Sequence, residues 1–225
     1  MNLRSAVIGP NKSFISLRIL YSFVEHHRKE YEQALNPQQH LGKQFYEECE
    51  KLTQGIKDVQ GIYVWGTFDH RKYWNSIYLG KAGLGNQKKL LHDRITEELK
   101  DERCFLWRRV LSEEALFCAG PKVHRGGQEK WDEYIHKAWR RSVKKARTTH
   151  IIYAPTKAAL DNNDVRRVEA ELIEALRPEA NVSKPVPPSH VIKEAARIFS
   201  HFRRTIHHVR GLKPDDGGPF KIELA

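Results

Sequence analysis

The sequence predicts an α+β fold: a small, mostly antiparallel three-stranded sheet flanked by helices, with helical N- and C-terminal extensions. Three observations predict it. Two short aromatic strands, "GIYVWGTF" at 61–68 and "SIYLGKA" at 76–82, are separated by a polar turn region, "DHRKYWN", the pattern of an antiparallel hairpin. A third compact apolar strand, "HIIYAPT", follows at 150–156. The segments around these strands repeat apolar residues at three- and four-residue spacing, the period of an amphipathic helix.

In chain order, residues 14–54 read as helical, with Phe14, Leu17, Leu20, Tyr21 and Val24 on one face. Asn36-Pro37 breaks that pattern, and a second helical piece, "QQHLGKQFYEECEKLTQ", follows. Gly61 opens the first strand. Gly83 and Gly85 end the second and lead into the helix "QKKLLHDRITEELKDE", whose apolar stripe is Leu90, Leu91, Ile95 and Leu99. Residues 102–147 read as an insertion, with a loop at Gly126-Gly127 and a helix in "WDEYIHKAWRRSVKKAR". After the third strand, "NDVRRVEAELIEALRP" is a helix with Asp164 as N-cap and Pro178 just past its end. "KPVPP" at 184–188 is a stiff linker. It feeds a last helix with Ile192, Ala195, Phe199, Phe202, Ile206 and Val209 on one face, which asks for burial against the domain or a second copy. The chain thus divides into a helical extension (1–60), a core (61–182) and a linker with the C-terminal helix (183–225).

Of the 225 residues, 40% are hydrophobic and 30% charged, the balance of a soluble globular protein. No apolar run approaches the ~18 residues of a membrane helix, and "FISLRIL" is too short and too interrupted by Arg18 for a signal peptide. Cys49, Cys104 and Cys118 are too scattered for a disulfide framework or a metal knuckle, which suits a cytoplasmic protein. The twelve histidines show no zinc-site spacing. A net charge of +11 points to a polyanionic partner, most simply nucleic acid.

Several residues carry chemistry suited to a phosphodiester. Its hydrolysis needs an activated water, charge stabilisation at phosphorus and help for the leaving oxygen. Glu169 can hold one Mg²⁺, since that ion commonly uses one or two carboxylates and keeps several waters. Arg94 offers a planar fork for phosphate oxygens. Tyr63 and Tyr78, on adjacent strands, can point to one face, and the glycines beside them let a substrate backbone approach. Lys81 can lower a tyrosine pKa or touch the phosphate. Asn181 braces the site. Each residue alone has a plain structural reading: a cross-strand aromatic pair, an Arg94–Glu98 helix pair, an exposed strand end.

Taken together and in order, "GIY" at 61–63, "YLG" at 78–80, Arg94 and "VEAELIEALRPEAN" at 168–181 resemble the motifs of the GIY-YIG nuclease family. Leu79 stands where isoleucine is usual. The look is closest to the type II restriction endonuclease branch, and the resemblance covers about residues 61–182. It implies a Mg²⁺- (or Mn²⁺-) dependent endonuclease acting on double-stranded DNA. The catalytic set would be Tyr63, Tyr78, Lys81, Arg94, Glu169 and Asn181, with the metal on Glu169. In the restriction branch a histidine commonly follows the arginine by four residues. Here Glu98 takes that place, as a second metal-side carboxylate, a partner that tunes Arg94 or plain surface, which leaves the proton-transfer route open.

The run "KAWRRSVKKAR" at 137–147 has six cations and no acid. Lys137, Arg140, Arg141, Lys144 and Lys145 recur at helical spacing, a stripe suited to phosphate contacts, and Arg125 lies in a loop that can close on DNA. Cutting both strands with one site per chain favours a homodimer, with the C-terminal helix as its interface. The alternatives are a structure-specific repair or homing-type nuclease, and a non-catalytic basic DNA-binding module.

Overall fold

A computed structural model of the chain describes residues 13–27, 42–83, 89–100, 145–157, 160–181 and 192–222. Its elements are β1 (Phe14–Ser16), α1 (Arg18–His26), α2 (Gly42–Thr53), β2 (Gly61–Phe68), β3 (Trp74–Ala82), α3 (Leu91–Leu99), β4 (His150–Pro155), α4 (Asn162–Leu176) and α5 (Ile192–Gly211). The class is α+β, as the sequence predicts, but the sheet has four strands in the order β1-β4-β2-β3, all antiparallel.

The added strand corrects the reading of Phe14–Ser16 as helix. Phe14 pairs with Ile152 and Ile15 with Ile151. Phe14 and Ile15 are both buried, on opposite sides of the sheet. The helical spacing from Phe14 onward is real, but β4 presents an edge whose N–H and C=O groups need partners. Three residues of strand satisfy it before the helix begins.

β2 lies in the centre, between β3 and β4, which explains its continuous apolar character. Alternation sends Tyr63 and Trp65 to one face and Ile62 and Val64 to the other. On the first face they meet α1 (Leu20, Val24), α2 (Phe45, Cys49) and α3 (Leu91, Ile95, Leu99). On the second they meet α4 (Val165, Val168, Leu172) and α5 (Ala195, Ile198, Phe202, Val209). The α5 stripe that suggested a dimer is therefore spent inside the chain. Ala195, Phe199, Phe202, Ile206 and Val209 pack inside the chain and only Ile192 of the stripe is exposed, which weakens the reason for placing a homodimer interface there.

The start of α4 is another correction. Asp161, not Asp164, is the N-cap: its side chain accepts from the N–H groups of Asn163 and Asp164, each at 2.8 Å. Asp164 lies in the first turn, a favourable place for an acid near the positive end of the helix dipole but not the cap itself. Asp161→Ala is expected to cost about 1 kcal/mol, read as a lower urea midpoint, while Asp164→Ala keeps the cap and costs less. Arg177 ends α4 in the left-handed conformation, φ 45°, and Pro178 follows, as the sequence predicts. The chain then runs along the outer edge of β3. Ala180 N–H donates to Ile77 O at 2.8 Å. The Asn181 side chain closes both sides of Leu79, accepting from its N–H at 2.8 Å and donating to its carbonyl at 2.9 Å.

At the far end of β4, His150 is fully buried between the Phe68 and Phe220 rings. One ring nitrogen lies 2.8 Å from Thr149 Oγ1 and the other 3.0 Å from Gly217 O. A carbonyl only accepts, so Nε2 carries the hydrogen and Nδ1 accepts from the threonine. Burial lowers the His150 pKa to about 4, against hydrogen bonds to Gly217 and Gly218 that raise it. The unfolded chain therefore binds a proton near pH 6.5 that the fold refuses until about pH 4. The stability this contributes is whole above pH 6.5 and is lost as the pH falls through 4. The expected loss across that window is about 3 kcal/mol at most. Urea midpoints measured from pH 6.5 to 4 should fall, and His150→Asn should flatten the fall.

Candidate functional site

The site is built around β3. Its residues 78, 80 and 82 face the α1–α3 side, and 79 and 81 face α4 and α5. Tyr63 on β2 stands opposite Gly80, and its ring lies over that glycine. A Cβ on Gly80 would sit 2.3 Å from Tyr63 Cζ and Oη. This corrects one expectation. The space over Gly80 is filled by the protein's own tyrosine and is not left for substrate backbone. Gly61 serves packing too, since a Cβ there would meet Ala154 O and Leu91 Cδ1 at 2.5 Å.

On the α3 side, the Tyr63 hydroxyl donates to Glu98 Oε1 at 2.6 Å. Arg94 Nη2 reaches the same oxygen at 3.0 Å, and Lys145 Nζ reaches Oε2 at 2.8 Å. Tyr78 lies edge-on to Tyr63, ring centroids 6.4 Å apart, so the two tyrosines do share one face. The Lys145 ammonium also sits over the rings of Trp65, at 4.2 Å, and Tyr78, at 5.2 Å, a cation–π position. Glu98 thus holds three donors, Arg94 among them, which excludes the plain-surface reading. Helical spacing already paired Arg94 with Glu98. The tyrosine and lysine come from β2 and from the approach to β4, which no local pattern reports.

Lys145 is a correction. In the sequence it belongs to an exposed basic stripe, but its side chain is only 5% exposed and is committed to Glu98, so it does not face DNA. Arg125, Lys137, Arg140, Arg141 and Lys144 lie outside the described residues.

Burial, then the neighbouring Glu98 charge, push the Tyr63 pKa well above its usual value. A fully buried phenol that already donates to a carboxylate is a poor proton acceptor. Burial works against the Arg94 charge, but Tyr63 and Glu98 outweigh it and raise the Arg94 pKa. The guanidinium side chain remains 36% exposed, and its other nitrogen pairs with exposed Glu97 at 2.9 Å.

On the α4 side, Lys81 and Glu169 form an ion pair, with side chains 24% and 17% exposed. The two halves meet at Gly80 and Lys81. The Tyr63 hydroxyl, beside Arg94, covers Gly80 on one face, and the next residue reaches Glu169 on the other. Asn181 holds the strand between them at Leu79. Among the described residues no three of His, Cys, Asp and Glu gather to hold a metal. Glu169 offers one partly exposed hard oxygen ligand, which fits Mg²⁺ completed by water and does not fit a dedicated protein cage. Among the described residues no helix is long and apolar enough to cross a membrane. Compared with family models, with characterised proteins and with solved structures, the chain matches none.

Proposed function

We propose that the chain is a Mg²⁺-dependent endonuclease, with Mn²⁺ as a substitute, that hydrolyses phosphodiester bonds in double-stranded DNA in the restriction-like, sequence-specific manner. The observation that carries the reading is the junction at Gly80–Lys81. Residues singled out by their order along 120 positions of chain converge there from β2, β3, α3 and α4.

In this reading the scissile phosphate lies at the end of β3 beyond Leu79. Glu169 holds the cation, which when bound neutralises phosphate charge and polarises a water. Lys81, beside Glu169, would contact a phosphate oxygen. Arg94 exchanges its exposed contact with Glu97 for the phosphorus oxygens, while Glu98 and Tyr63 fix its position. Of the two tyrosines, Tyr78 keeps 7% exposure and Tyr63 none, so Tyr78 is the one left to orient the attacking water. Asn181 keeps the strand in register.

A second reading, a non-catalytic DNA-binding module, is favoured by one observation: the Tyr63–Glu98–Lys145 group is closed and buried, as a purely structural network is. Incubation with supercoiled plasmid decides between them. Discrete fragments that require Mg²⁺ or Mn²⁺ and vanish with chelator support restriction-like cleavage, and a smear supports nonspecific cutting. Cutting confined to branched or damaged duplexes indicates a repair nuclease. A mobility shift with no cutting under any of these conditions defeats the enzyme reading.

A further inference from the structure

Resting on the DNA reading above, we propose that the solvent face of α5 and the tip of the β2–β3 hairpin form one duplex-contact surface, with Arg203, Arg204, Arg210, Arg71 and Lys72 on phosphates. The basic tail of the chain lies outside the family resemblance and has no part in the site at β3. Packing explains why it is presented. α5 buries Ala195, Ile198, Phe202 and Val209, which turns Arg203, Arg204, His207 and Arg210 to solvent, all exposed. Arg203 and Arg210 are seven residues apart, two helical turns, and lie in line about 10 Å from each other. That is roughly three base steps along a DNA strand. Of the acids that flank this stretch, Glu194 is held by Arg197 at 2.7 and 2.9 Å and Asp215 is paired with Arg18, which leaves exposed Asp216 against the three arginines.

The hairpin joins this surface. Asp69 Oδ1 accepts from the N–H groups of Arg71 and Tyr73, each at 2.8 Å, and Lys72 takes a left-handed φ of 61°. The acid is used up holding the turn, and Arg71 and Lys72 point outward, exposed. The Arg210 guanidinium sits 5.2 Å from the centre of the Tyr73 ring, which is 57% exposed. The helix end and the hairpin tip therefore touch, with an open aromatic between their cations. Arginine forks match phosphate geometry, and an exposed ring among cations is a nucleic-acid device. α5 also packs on α4, the helix of Glu169, so a duplex on this surface lies on the Glu169 side of the sheet.

The test is anisotropy of a fluorescent 20-base-pair duplex, without divalent cation, across a salt series. The full chain is compared with Arg71→Gln/Lys72→Gln/Arg203→Gln/Arg204→Gln/Arg210→Gln. The slope of log affinity against log salt should shrink by about 0.9 for each phosphate left without its cation, roughly 4.5 in all, with the circular dichroism melt unchanged. Should the fivefold variant misfold, Arg203→Gln/Arg204→Gln alone should shrink the slope by roughly 2. Wild-type binding with an unchanged slope in the variants overturns the surface and leaves the DNA reading standing. A wild type that binds no duplex overturns both.

Discussion

Glu98→Ala is expected to destabilise the protein by about 3–5 kcal/mol, the cost of removing one member of a buried ion pair. The carboxylate is 8% exposed and receives Tyr63, Arg94 and Lys145. Without it the buried Lys145 ammonium loses this carboxylate, and the Tyr63 hydroxyl loses this acceptor. The Trp65 and Tyr78 rings soften the first loss by about 1–2 kcal/mol, and Arg94 turns to water at little cost. Glu98→Gln keeps an acceptor for Tyr63 but not the charge, and should fall between. Glu98→Leu/Lys145→Met removes both charges and should recover most of the stability, because the penalty belongs to the partner left behind. Urea unfolding of the four proteins measures this. A wild-type midpoint in Glu98→Ala would show that the cluster carries no such energy.

Glu169→Gln is expected to do the reverse. In the proposed reaction it slows Mg²⁺-dependent plasmid cleavage at least about a thousandfold, close to 4 kcal/mol of lost transition-state stabilisation. Its effect on unfolding should stay within about 1 kcal/mol, because the Lys81–Glu169 pair is only partly buried. Lys81→Met should lose activity with Mg²⁺ still bound, since lysine acts on the phosphate and not on the cation. Cleavage by Glu169→Gln at the wild-type rate would remove the metal from this carboxylate. Set beside Glu98→Ala, the pair separates the residue that would act on substrate from the one that holds the scaffold.

The contrast between these glutamates also marks where the sequence is legible. Strands β2, β3 and β4 announce themselves as short aromatic and apolar runs with both faces largely buried, and helices α3, α4 and α5 by a period that reflects which face is buried. The order of Tyr63, Tyr78, Arg94, Glu169 and Asn181 is equally plain in one dimension. What the sequence hides are partnerships made across space. Lys145 looks identical to Lys144 in a basic run, and only the position of Glu98 beneath it decides that it is buried. Phe14 fits a helical stripe as well as a strand, and only the open edge of β4 decides. Asp161 and Asp164 are both good capping residues, and the choice falls to the residue whose backbone is still extended, ψ 170°. Gly80 reads as an opening for substrate until the Tyr63 ring is placed over it.

The short β1 strand has a consequence for how the chain is made. Ile15 pairs with Ile151, 136 positions later (151 − 15). β2 and β3 can close as a hairpin while still emerging from the ribosome. β1, at the usual pace of synthesis, waits roughly 7–27 s for its neighbour to exist. The first of the described strands to be made is thus among the last of them to be paired, and until then Phe14 and Ile15 form a sticky end. Slow passage through residues 101–149 lengthens that exposure, so the yield of soluble protein should depend on the translation speed of that stretch.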